Sequence, residues 1–347
     1  MRAIKLVAPG ELELVEVPIP VPGPHQVLVK VGGAGICGTD IHLLHSGALW
    51  QHTGITLGHE GAGWVAEVGG GVAQFVPGDP VLVQPIAGCG ICRCCRAGQE
   101  NACRNEGGRL GQPATAGLTY DGCMADYVLL PQRSLIPIPG LDVPSAAPLG
   151  DAAATTMHAI NSIGHSIYDP VVALIGFGGM GQYALQTLKA VSRATVIVIE
   201  INEARLEAAK AQGADYVFFP TDAAIAEILA IRDNMGADVV LDFVGNQQCL
   251  DFALKIIAPS GALRIIGLNG GKFTYQAAMT SASNPLPWGV NIQRCFGGSH
   301  RDIQEVVSLA LAGKINIDVT KYPLTDFLQA FSDLNSGHVP GRAILIP

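Results

Sequence analysis

The stretch Pro170–Gly181 reads P-V-V-A-L-I-G-F-G-G-M-G, and it decides the fold of the second half of the chain. Its apolar run leads directly into glycines spaced G-x-G-x-x-G at Gly176, Gly178 and Gly181, and Q-Y-A-L-Q-T-L-K-A follows with helical spacing. A second apolar run, T-V-I-V-I, ends at Glu200. A lone glycine motif is weak evidence, but this one has the strand, the helix and the later acid that dinucleotide binding requires.

The glycines let the main chain approach a pyrophosphate, which we expect at the helix N-terminus because unpaired N–H groups and the helix dipole favour an anion there. Glu200 is expected to accept hydrogen bonds from both adenosine ribose hydroxyls and to repel a 2′-phosphate, so NAD(H) is favoured over NADP(H). Arg205 follows closely enough to keep the phosphate alternative open. The predicted cofactor-binding residues are Gly176, Gly178, Gly179, Met180, Gly181, Glu200, Arg205, Val244 and Leu268.

Strand and helix patterns alternate beyond this motif. The predicted helices are Leu206–Gly213, Ala223–Arg232 and Cys249–Ile257, and the predicted strands are Tyr216–Phe219, Ala237–Phe243 and Ala262–Leu268. Such alternation predicts a doubly wound parallel sheet, which is an α/β fold. The nicotinamide end of the cofactor is expected at the carboxyl ends of the later strands, around Val244 and Leu268.

Short β-type runs separated by Pro and Gly dominate the first 139 residues, which predicts an antiparallel β-rich domain. Among these runs are Leu12–Val17, Val27–Val31, Trp64–Val68 and Pro80–Gln84. The Ala-rich stretch Val143–Ile163 is predicted to carry the chain into the second domain. The last segment, Lys314–Pro347, has strand-like ends that are expected to return to the first domain.

Metal-ligating side chains are concentrated in Cys37–Glu60, which begins C-G-T-D-I-H and ends L-G-H-E. A catalytic zinc needs about three protein ligands and an open fourth position. Cys37 and His59 are natural first ligands, and Asp151, in P-L-G-D-A-A-A-T-T-M-H, is the candidate for the third. Taken alone, Asp151 is better explained as a helix N-cap, since Asp commonly precedes such a run.

Four cysteines follow the spacing Cys89-x2-Cys92-x2-Cys95-x7-Cys103. Four thiolates at this spacing predict a closed, tetrahedral structural zinc site, with a role in stability or oligomer contact and none in chemistry. Cys94 does not fit this spacing and is predicted not to bind the metal, and the alternative is that it takes the ligand role of Cys95.

The motifs C-G-T-D-I-H, G-H-E-G-A-G-W-V-A-E-V-G-G-G-V, G-C-G-I-C-R-C-C-R-A-G-Q-E-N-A-C and G-F-G-G-M-G occur in the order and spacing of one family. In this respect the chain resembles the zinc-dependent medium-chain alcohol dehydrogenases, nearly end to end. The resemblance implies a GroES-like catalytic domain over residues 1–152 and 298–347, and a Rossmann NAD-binding domain over residues 153–297. It also implies two zinc ions per chain, with Cys37, His59 and Asp151 as catalytic ligands. Many members carry Cys at the position of Asp151, and some bacterial secondary-alcohol dehydrogenases carry Asp.

The same resemblance implies a proton relay in which Thr39 accepts the substrate proton and His42 passes it to solvent. The alternative for His42 is an ordinary surface histidine. Asp40 is expected to orient His59 through the second ring nitrogen, and Glu60 is either a group behind the ligands or an occasional fourth ligand. The predicted substrate pocket, whose members also fit a core role, is lined by Thr39, Trp50, Leu118 and Phe296.

Composition narrows the function further. The formal net charge of −8 argues against a nucleic-acid partner, because phosphate binding needs a basic surface. No run approaches the roughly 18 apolar residues of a membrane span, and the N-terminus lacks the apolar core of a signal peptide. The chain has nine cysteines, which is an odd number, and five of them are clustered between residues 89 and 103; this pattern indicates metal binding in a reducing, cytoplasmic setting. The resemblance implies a homodimer or homotetramer.

The predicted activity is hydride transfer between an alcohol, best matched by a secondary one, or its ketone or aldehyde, and NAD(H). One alternative is a polyol or amino-alcohol dehydrogenase, which would need polar groups in the pocket. A second is a zinc-free reductase, which would have no need to keep Cys37, His59 and a four-cysteine site together. Outside enzymes, the alternative is a non-catalytic NAD-binding zinc protein.

Overall fold

The computed structural model describes residues 1–46, 53–164, 169–274 and 286–347, without the side chains of residues 42, 43, 45 and 46. The described chain divides into two compact units, Met1–Ala154 with Gly297–Pro347, and Thr155–Phe296. Among the helices of these ranges, none has the length and apolar character that crossing a membrane would need.

The secondary structure of the described ranges is as follows. The strands are β1 (Arg2–Ala8), β2 (Glu11–Glu16), β3 (Gln26–Ile36), β4 (Glu60–Val68), β5 (Pro80–Val83), β6 (Tyr127–Pro131), β7 (Leu135–Pro137), β8 (Val171–Ile175), β9 (Thr195–Ile199), β10 (Tyr216–Phe218), β11 (Ala237–Asp242), β12 (Ile257–Ile265), β13 (Asn291–Arg294), β14 (Val319–Pro323) and β15 (Arg342–Ile346). The helices are α1 (Gly38–Ser46), α2 (Arg93–Arg96), α3 (Arg104–Gly107), α4 (Val143–Ala146), α5 (Ala152–Asn161), α6 (Gly179–Val191), α7 (Glu203–Ala211), α8 (Asp222–Ala230), α9 (Gln247–Ile256), α10 (His300–Leu311) and α11 (Phe327–Asn335).

The unit Thr155–Phe296 is built on a six-stranded parallel sheet of order β10-β9-β8-β11-β12-β13. Alternate residues of β8 enter opposite cores, with Val172 and Leu174 on one face and Val171 and Ala173 on the other. A strand buried on both faces explains why its sequence is a continuous apolar run. The strand order reverses between β8 and β11, and a crevice at the carboxyl ends of such strands is where ligands bind in doubly wound sheets.

The other unit contains a seven-stranded sheet of order β14-β15-β3-β4-β5-β7, with β6 also paired to β3. Its strand pairs are antiparallel except for β14 and β15, which run parallel. The eleven-residue β3 lies at the centre, because it pairs with β15, β4 and β6. The predicted β-rich opening and the return of the final segment to it are both present in this sheet.

Several boundaries differ from those predicted, and side-chain caps explain the helix starts. The helix predicted from Leu206 begins at Glu203, because the Asn202 side chain accepts a hydrogen bond from Arg205 N. The helix predicted from Cys249 begins two residues earlier for the same reason, with Asn246 as its N-cap. The last predicted strand of the cofactor unit, Val290–Phe296, is shorter in the structure and spans Asn291–Arg294.

Candidate functional site

Three elements bring the predicted metal ligands together. Cys37 follows the end of β3, and His59 precedes the start of β4. Because these strands are antiparallel and pair Gly35 with Glu60, the end of one and the start of the other coincide. Asp151 follows a short 3-10 turn, Ala147–Gly150, and directly precedes α5.

The donor atoms of this group have separations that suit a zinc ion. His59 Nε2 lies 3.5 Å from Asp151 Oδ2, and Cys37 Sγ lies 4.0 Å from the same oxygen. Together with Glu60, each residue offers a ligand atom within 4.8 Å of the others. Zinc bonds of about 2.0–2.3 Å in a tetrahedron put neighbouring donors roughly 3.3–3.8 Å apart. The residues present therefore fit zinc, with Cys37, His59 and Asp151 as a ligand set.

Asp40 supports this group from behind. Its Oδ2 accepts a hydrogen bond from Cys37 N at 2.9 Å, and its Oδ1 lies 3.1 Å from His59 Nδ1, which leaves Nε2 directed to Asp151. Burial alone would lower the pKa of His59, but the Asp40 and Asp151 carboxylates outweigh it and raise that pKa well above its ordinary value. The same negative surroundings favour a bound cation.

Glu60 has a partner that the sequence did not reveal. Its side chain is fully buried, and its Oε1 accepts a hydrogen bond from Arg342 Nη2 of β15. Among the described residues, Glu60 Oε2 has no hydrogen-bond partner, and burial raises the pKa of Glu60 to about 7 despite the guanidinium. The sequence signal for this pair is a single arginine at the start of the apolar run G-R-A-I-L-I-P. The pair holds Glu60 beside the ligands.

The other residues predicted for the reaction are only partly in view. Thr39 is half-buried on α1, and its Oγ1 lies 3.5 Å from Cys37 Sγ. The His42 side chain and the whole of Trp50 lie outside the described residues. Leu118 is buried in the core of the β-rich unit, and Phe296 is the half-buried last residue of the other unit.

The four spaced cysteines form a second cluster. Cys92 Sγ lies 3.5 Å from Cys95 Sγ and 4.0 Å from Cys103 Sγ, and Cys89 Sγ lies 4.0 Å from Cys95 Sγ. Zinc–sulfur bonds of about 2.3 Å predict sulfur separations near 3.8 Å in a tetrahedron. The cluster therefore fits zinc with no open position.

Main-chain donors around this cluster favour thiolates. Cys92 N donates to Cys89 Sγ at 3.3 Å, and Cys89 N donates to Cys103 Sγ at 3.4 Å. Hydrogen bonds from the main chain of Cys95 and Arg104 lower the pKa of Cys92 to about 6. All nine cysteines are free thiols, and Cys94 is not among the four whose sulfurs converge.

The glycine loop lies between β8 and α6, as predicted. Gly176 has a φ of +92°, which few other residues adopt, and a Cβ on Gly181 would collide with the carbonyl oxygen of Gly176. Helix α6 begins after Gly178 without a side-chain cap, and a Cβ on Gly178 would meet open space. Gly179 and Met180 form its first turn, so unpaired N–H groups there fit an anion such as pyrophosphate.

Glu200 follows the end of β9 and is buried beside this loop. Its Oε2 accepts a hydrogen bond from Phe177 N at 2.7 Å, and its Oε1 accepts from Ile201 N at 2.8 Å and Asn202 N at 3.1 Å. Arg205 Nη1 lies 3.9 Å from Glu200 Oε2. The main chain thus holds the carboxylate at the glycine loop, where a ribose is expected.

The last two predicted cofactor residues lie beyond neighbouring strands of the same sheet. Val244 is half-buried in the turn after β11, and Leu268 is exposed in the segment after β12. Asn269 N donates to Val244 O at 3.3 Å, which joins the two segments. Both residues therefore lie at the carboxyl edge of the parallel sheet.

Comparison with known families follows this division of the chain. Residues 23–140 match the alcohol dehydrogenase GroES-like domain, and residues 179–312 match the zinc-binding dehydrogenase family. These matches confirm the predicted architecture of a GroES-like domain with a Rossmann-type parallel-sheet domain.

Individual proteins resemble the chain over its full length. It is similar to an NAD-dependent alcohol dehydrogenase of Sulfurisphaera tokodaii, with 34% identity over 359 residues and coverage of 100% of both chains. A D-arabinose 1-dehydrogenase (NADP(+)) of Saccharolobus solfataricus is 34% identical over 343 residues, covering 97% of this chain and 94% of its own. The crystal structure of an alcohol dehydrogenase from Aeropyrum pernix superposes with a TM-score of 0.89 at 32% identity, with both chains covered completely.

Proposed function

This chain belongs to the zinc-binding alcohol dehydrogenase family, and on that premise we propose that it interconverts a secondary alcohol and its ketone with NAD(H). The observation that carries the proposal is the convergence of Cys37, His59 and Asp151 at zinc-like separations. A zinc-free reductase or a non-catalytic cofactor-binding protein would have no need for this combination of thiol, imidazole and carboxylate.

We assign two zinc ions to each chain, one to this group and one to the four cysteines of residues 89–103. Zinc at Cys37, His59 and Asp151 would supply a Lewis acid that polarises the substrate oxygen. Asp40 fixes the ring of His59 so that Nε2 faces the metal position. Glu60 is assigned as an occasional fourth zinc ligand, held behind the other three by its buried contact with Arg342.

Proton transfer is assigned to Thr39 and His42. The Thr39 hydroxyl, 3.5 Å from Cys37 Sγ, is close enough to the ligand group to take a proton from a substrate hydroxyl. His42, one turn further along α1, would pass that proton to solvent. The substrate pocket is assigned to Thr39, Trp50, Leu118 and Phe296, whose mainly apolar character suits a secondary alcohol or ketone.

The cofactor is assigned to the glycine loop and the carboxyl edge of the parallel sheet. Bound nicotinamide would supply the hydride acceptor or donor. The pyrophosphate is assigned to the first turn of α6, and the adenosine ribose to Glu200. We propose NAD(H) over NADP(H), because a 2′-phosphate would meet the buried carboxylate of Glu200. Arg205 and the NADP(+)-dependent relative make NADP(H) the competitor to test.

The remaining assignments follow from the same reading. The catalytic zinc-binding domain is assigned to residues 1–152 and 298–347, and the NAD-binding domain to residues 153–297. We propose a cytoplasmic location, because nine free thiols and thiolate–zinc sites suit a reducing compartment. We also propose a homodimer or homotetramer, which rests on the family to which the chain belongs. The D-arabinose dehydrogenase relative makes a sugar or polyol the second substrate class to examine.

Zinc content and substrate range test the proposal together. Elemental analysis of freshly purified protein should find two zinc ions per chain, and Asp151→Ala should retain one while losing turnover. The wild type should oxidise secondary alcohols with NAD+ faster than polyols or sugars. One zinc ion in both proteins, or full turnover by Asp151→Ala, would overturn the ligand assignment. Faster turnover of D-arabinose would instead favour the sugar dehydrogenase.

A further inference from the structure

A buried carboxylate at the carboxyl edge of the parallel sheet has no part in the chemistry proposed above. Asp242 is the last residue of β11 and is fully buried. It is in register with Ile175 of β8 and Ile265 of β12, so it lies beside the point where the strand order reverses. Doubly wound sheets bind their ligands at this edge.

Asp242 holds two turns at once. Its Oδ1 accepts hydrogen bonds from Val244 N and Gly245 N, both at 2.9 Å. Its main-chain oxygen accepts from Ile266 N at 2.9 Å and from Gly267 N at 3.0 Å. A single residue therefore fixes the turn after β11 and the turn after β12, which are the segments expected to meet the nicotinamide end of the cofactor.

The glycine loop is packed against the same turns. A Cβ on Gly176 would lie 2.8 Å from Val244 Cγ2, and a Cβ on Gly267 would collide with the main chain of Val244. Val244 is thus enclosed between the loop after β8 and the turn after β12. A shift in the turn that Asp242 caps would move Val244 against both neighbours.

The charge on Asp242 is not explained by capping alone. Both of its hydrogen bonds use Oδ1, and among the described residues the buried Oδ2 has no hydrogen-bond partner. Burial raises the pKa of Asp242, while the two main-chain donors oppose that shift. An asparagine could accept the same two hydrogen bonds without the cost of burying a charge. A nearby positive charge in the bound state would explain the carboxylate, and the oxidised nicotinamide ring is cationic whereas the reduced ring is neutral.

We propose that Asp242 is a positioning residue for the nicotinamide end of the cofactor. It acts through Val244 and Gly245, whose turn it fixes, and its buried negative charge favours the oxidised ring over the reduced ring. This inference rests on the proposed use of NAD(H), which it extends to a preference between the two redox forms.

Asp242→Asn separates the charge from the shape, because the amide keeps an oxygen for both main-chain donors. Isothermal titration calorimetry of the zinc-replete protein with NAD+, NADH and ADP-ribose provides the readout. We expect the Kd for NAD+ to rise about five- to tenfold relative to that for NADH, from loss of one charge interaction in a low-dielectric site. ADP-ribose, which lacks nicotinamide, should bind as it does to the wild type. Asp242→Ala also removes the cap and should weaken binding of NAD+ and NADH together, and it should weaken ADP-ribose to a smaller extent because Val244 packs against the glycine loop.

Asp238→Asn is the matched control. Asp238 lies near the start of the same strand, and its Oδ2 also accepts a main-chain hydrogen bond, from Val171 N at 2.8 Å. It should leave the ratio of the two Kd values unchanged. The inference would be overturned if Asp242→Asn left the ratio of the Kd values for NAD+ and NADH unchanged, or if it weakened ADP-ribose as much as NAD+. In either case, binding of NAD+ and NADH by the wild type would still support the proposed function. A wild type that bound neither form would overturn both.

Discussion

Arg342→Met is expected to destabilise the β-rich unit strongly. The substitution removes the guanidinium that donates to Glu60 Oε1 and leaves that carboxylate, 0% exposed, without its cation. Removing one member of a buried ion pair typically costs about 3–5 kcal/mol, because the remaining charge is neither solvated nor paired. Arg342 is itself only 5% exposed, so solvent offers little relief, but Glu60, whose pKa burial raises to about 7, can take up a proton, and the lower part of that range therefore applies.

The double variant Glu60→Gln/Arg342→Met removes both charges and should recover at least about 2 kcal/mol of the loss, since neutral replacement of a buried pair is often nearly neutral. Urea unfolding of the wild type, both single variants and the double variant gives the coupling energy between the two residues. Zinc content is measured in parallel so that metal loss can be separated from loss of the pair.

An exposed pair in the same unit provides the control. Arg301 Nε lies 2.9 Å from Glu305 Oε1 on α10, with the arginine side chain 80% exposed. Arg301→Met should cost less than about 0.5 kcal/mol, because exposed pairs gain little. The reasoning fails if Arg342→Met costs no more than this control, or if the double variant is no more stable than Arg342→Met alone.

Three further predictions use other parts of the chain. Cys103→Ser should release the zinc of the four-cysteine cluster and lower the thermal unfolding midpoint, while the metal at Asp151 remains bound. Elemental analysis and a thermal scan measure these two effects. An unchanged zinc content would contradict the cluster assignment. Glu200→Ala should weaken NADH binding about 10- to 100-fold, because hydrogen bonds to a charged group are lost, and it should reduce the preference for NADH over NADPH. Fluorescence titration with both cofactors measures these affinities. An unchanged preference would contradict the assignment of the ribose to Glu200. Burial tends to raise the pKa of Asp126, but hydrogen bonds from Arg2 outweigh burial and lower that pKa. The stability from that carboxylate is therefore present above the ordinary Asp pKa of about 3.9 and lost as the pH falls through the lowered value. Asp126→Asn should flatten this part of the acid-unfolding curve, and a curve identical to that of the wild type would refute it.

The parallel sheet and the glycine loop were predictable because their signals are local. An apolar strand, three glycines at fixed spacing and a following helix lie within about 20 residues, and each has a physical role that few other residue types can fill. The four-cysteine cluster is equally local, with its ligands confined to Cys89–Cys103. Helix starts were less accurate, since the caps at Asn202 and Asn246 are polar residues in loops and do not belong to the apolar pattern.

Features that depend on distant strand pairing were not predictable. Glu60 and Arg342 are 282 residues apart, and they meet because β3 pairs with both β4 and β15. The sequence offered Asp151 as a third ligand on the strength of a resemblance, whereas its distance to His59 depends on the packing of the turn Ala147–Gly150. Asp242 was read only as part of an apolar strand, because periodicity does not reveal which turn a buried carboxylate caps.

The division of the chain into one continuous and one discontinuous unit has a consequence for biosynthesis. The unit Thr155–Phe296 is a single uninterrupted segment, so it can fold as soon as it leaves the ribosome. The β-rich unit is incomplete without Gly297–Pro347, because β15 in this segment pairs with β3, the central strand of its sheet. In a nascent chain, β3 therefore lacks its partner strand β15, and Glu60 lacks Arg342, until residues 155–296 have been translated. Chaperone dependence during translation should concentrate on the first 154 residues, which are made early and completed late.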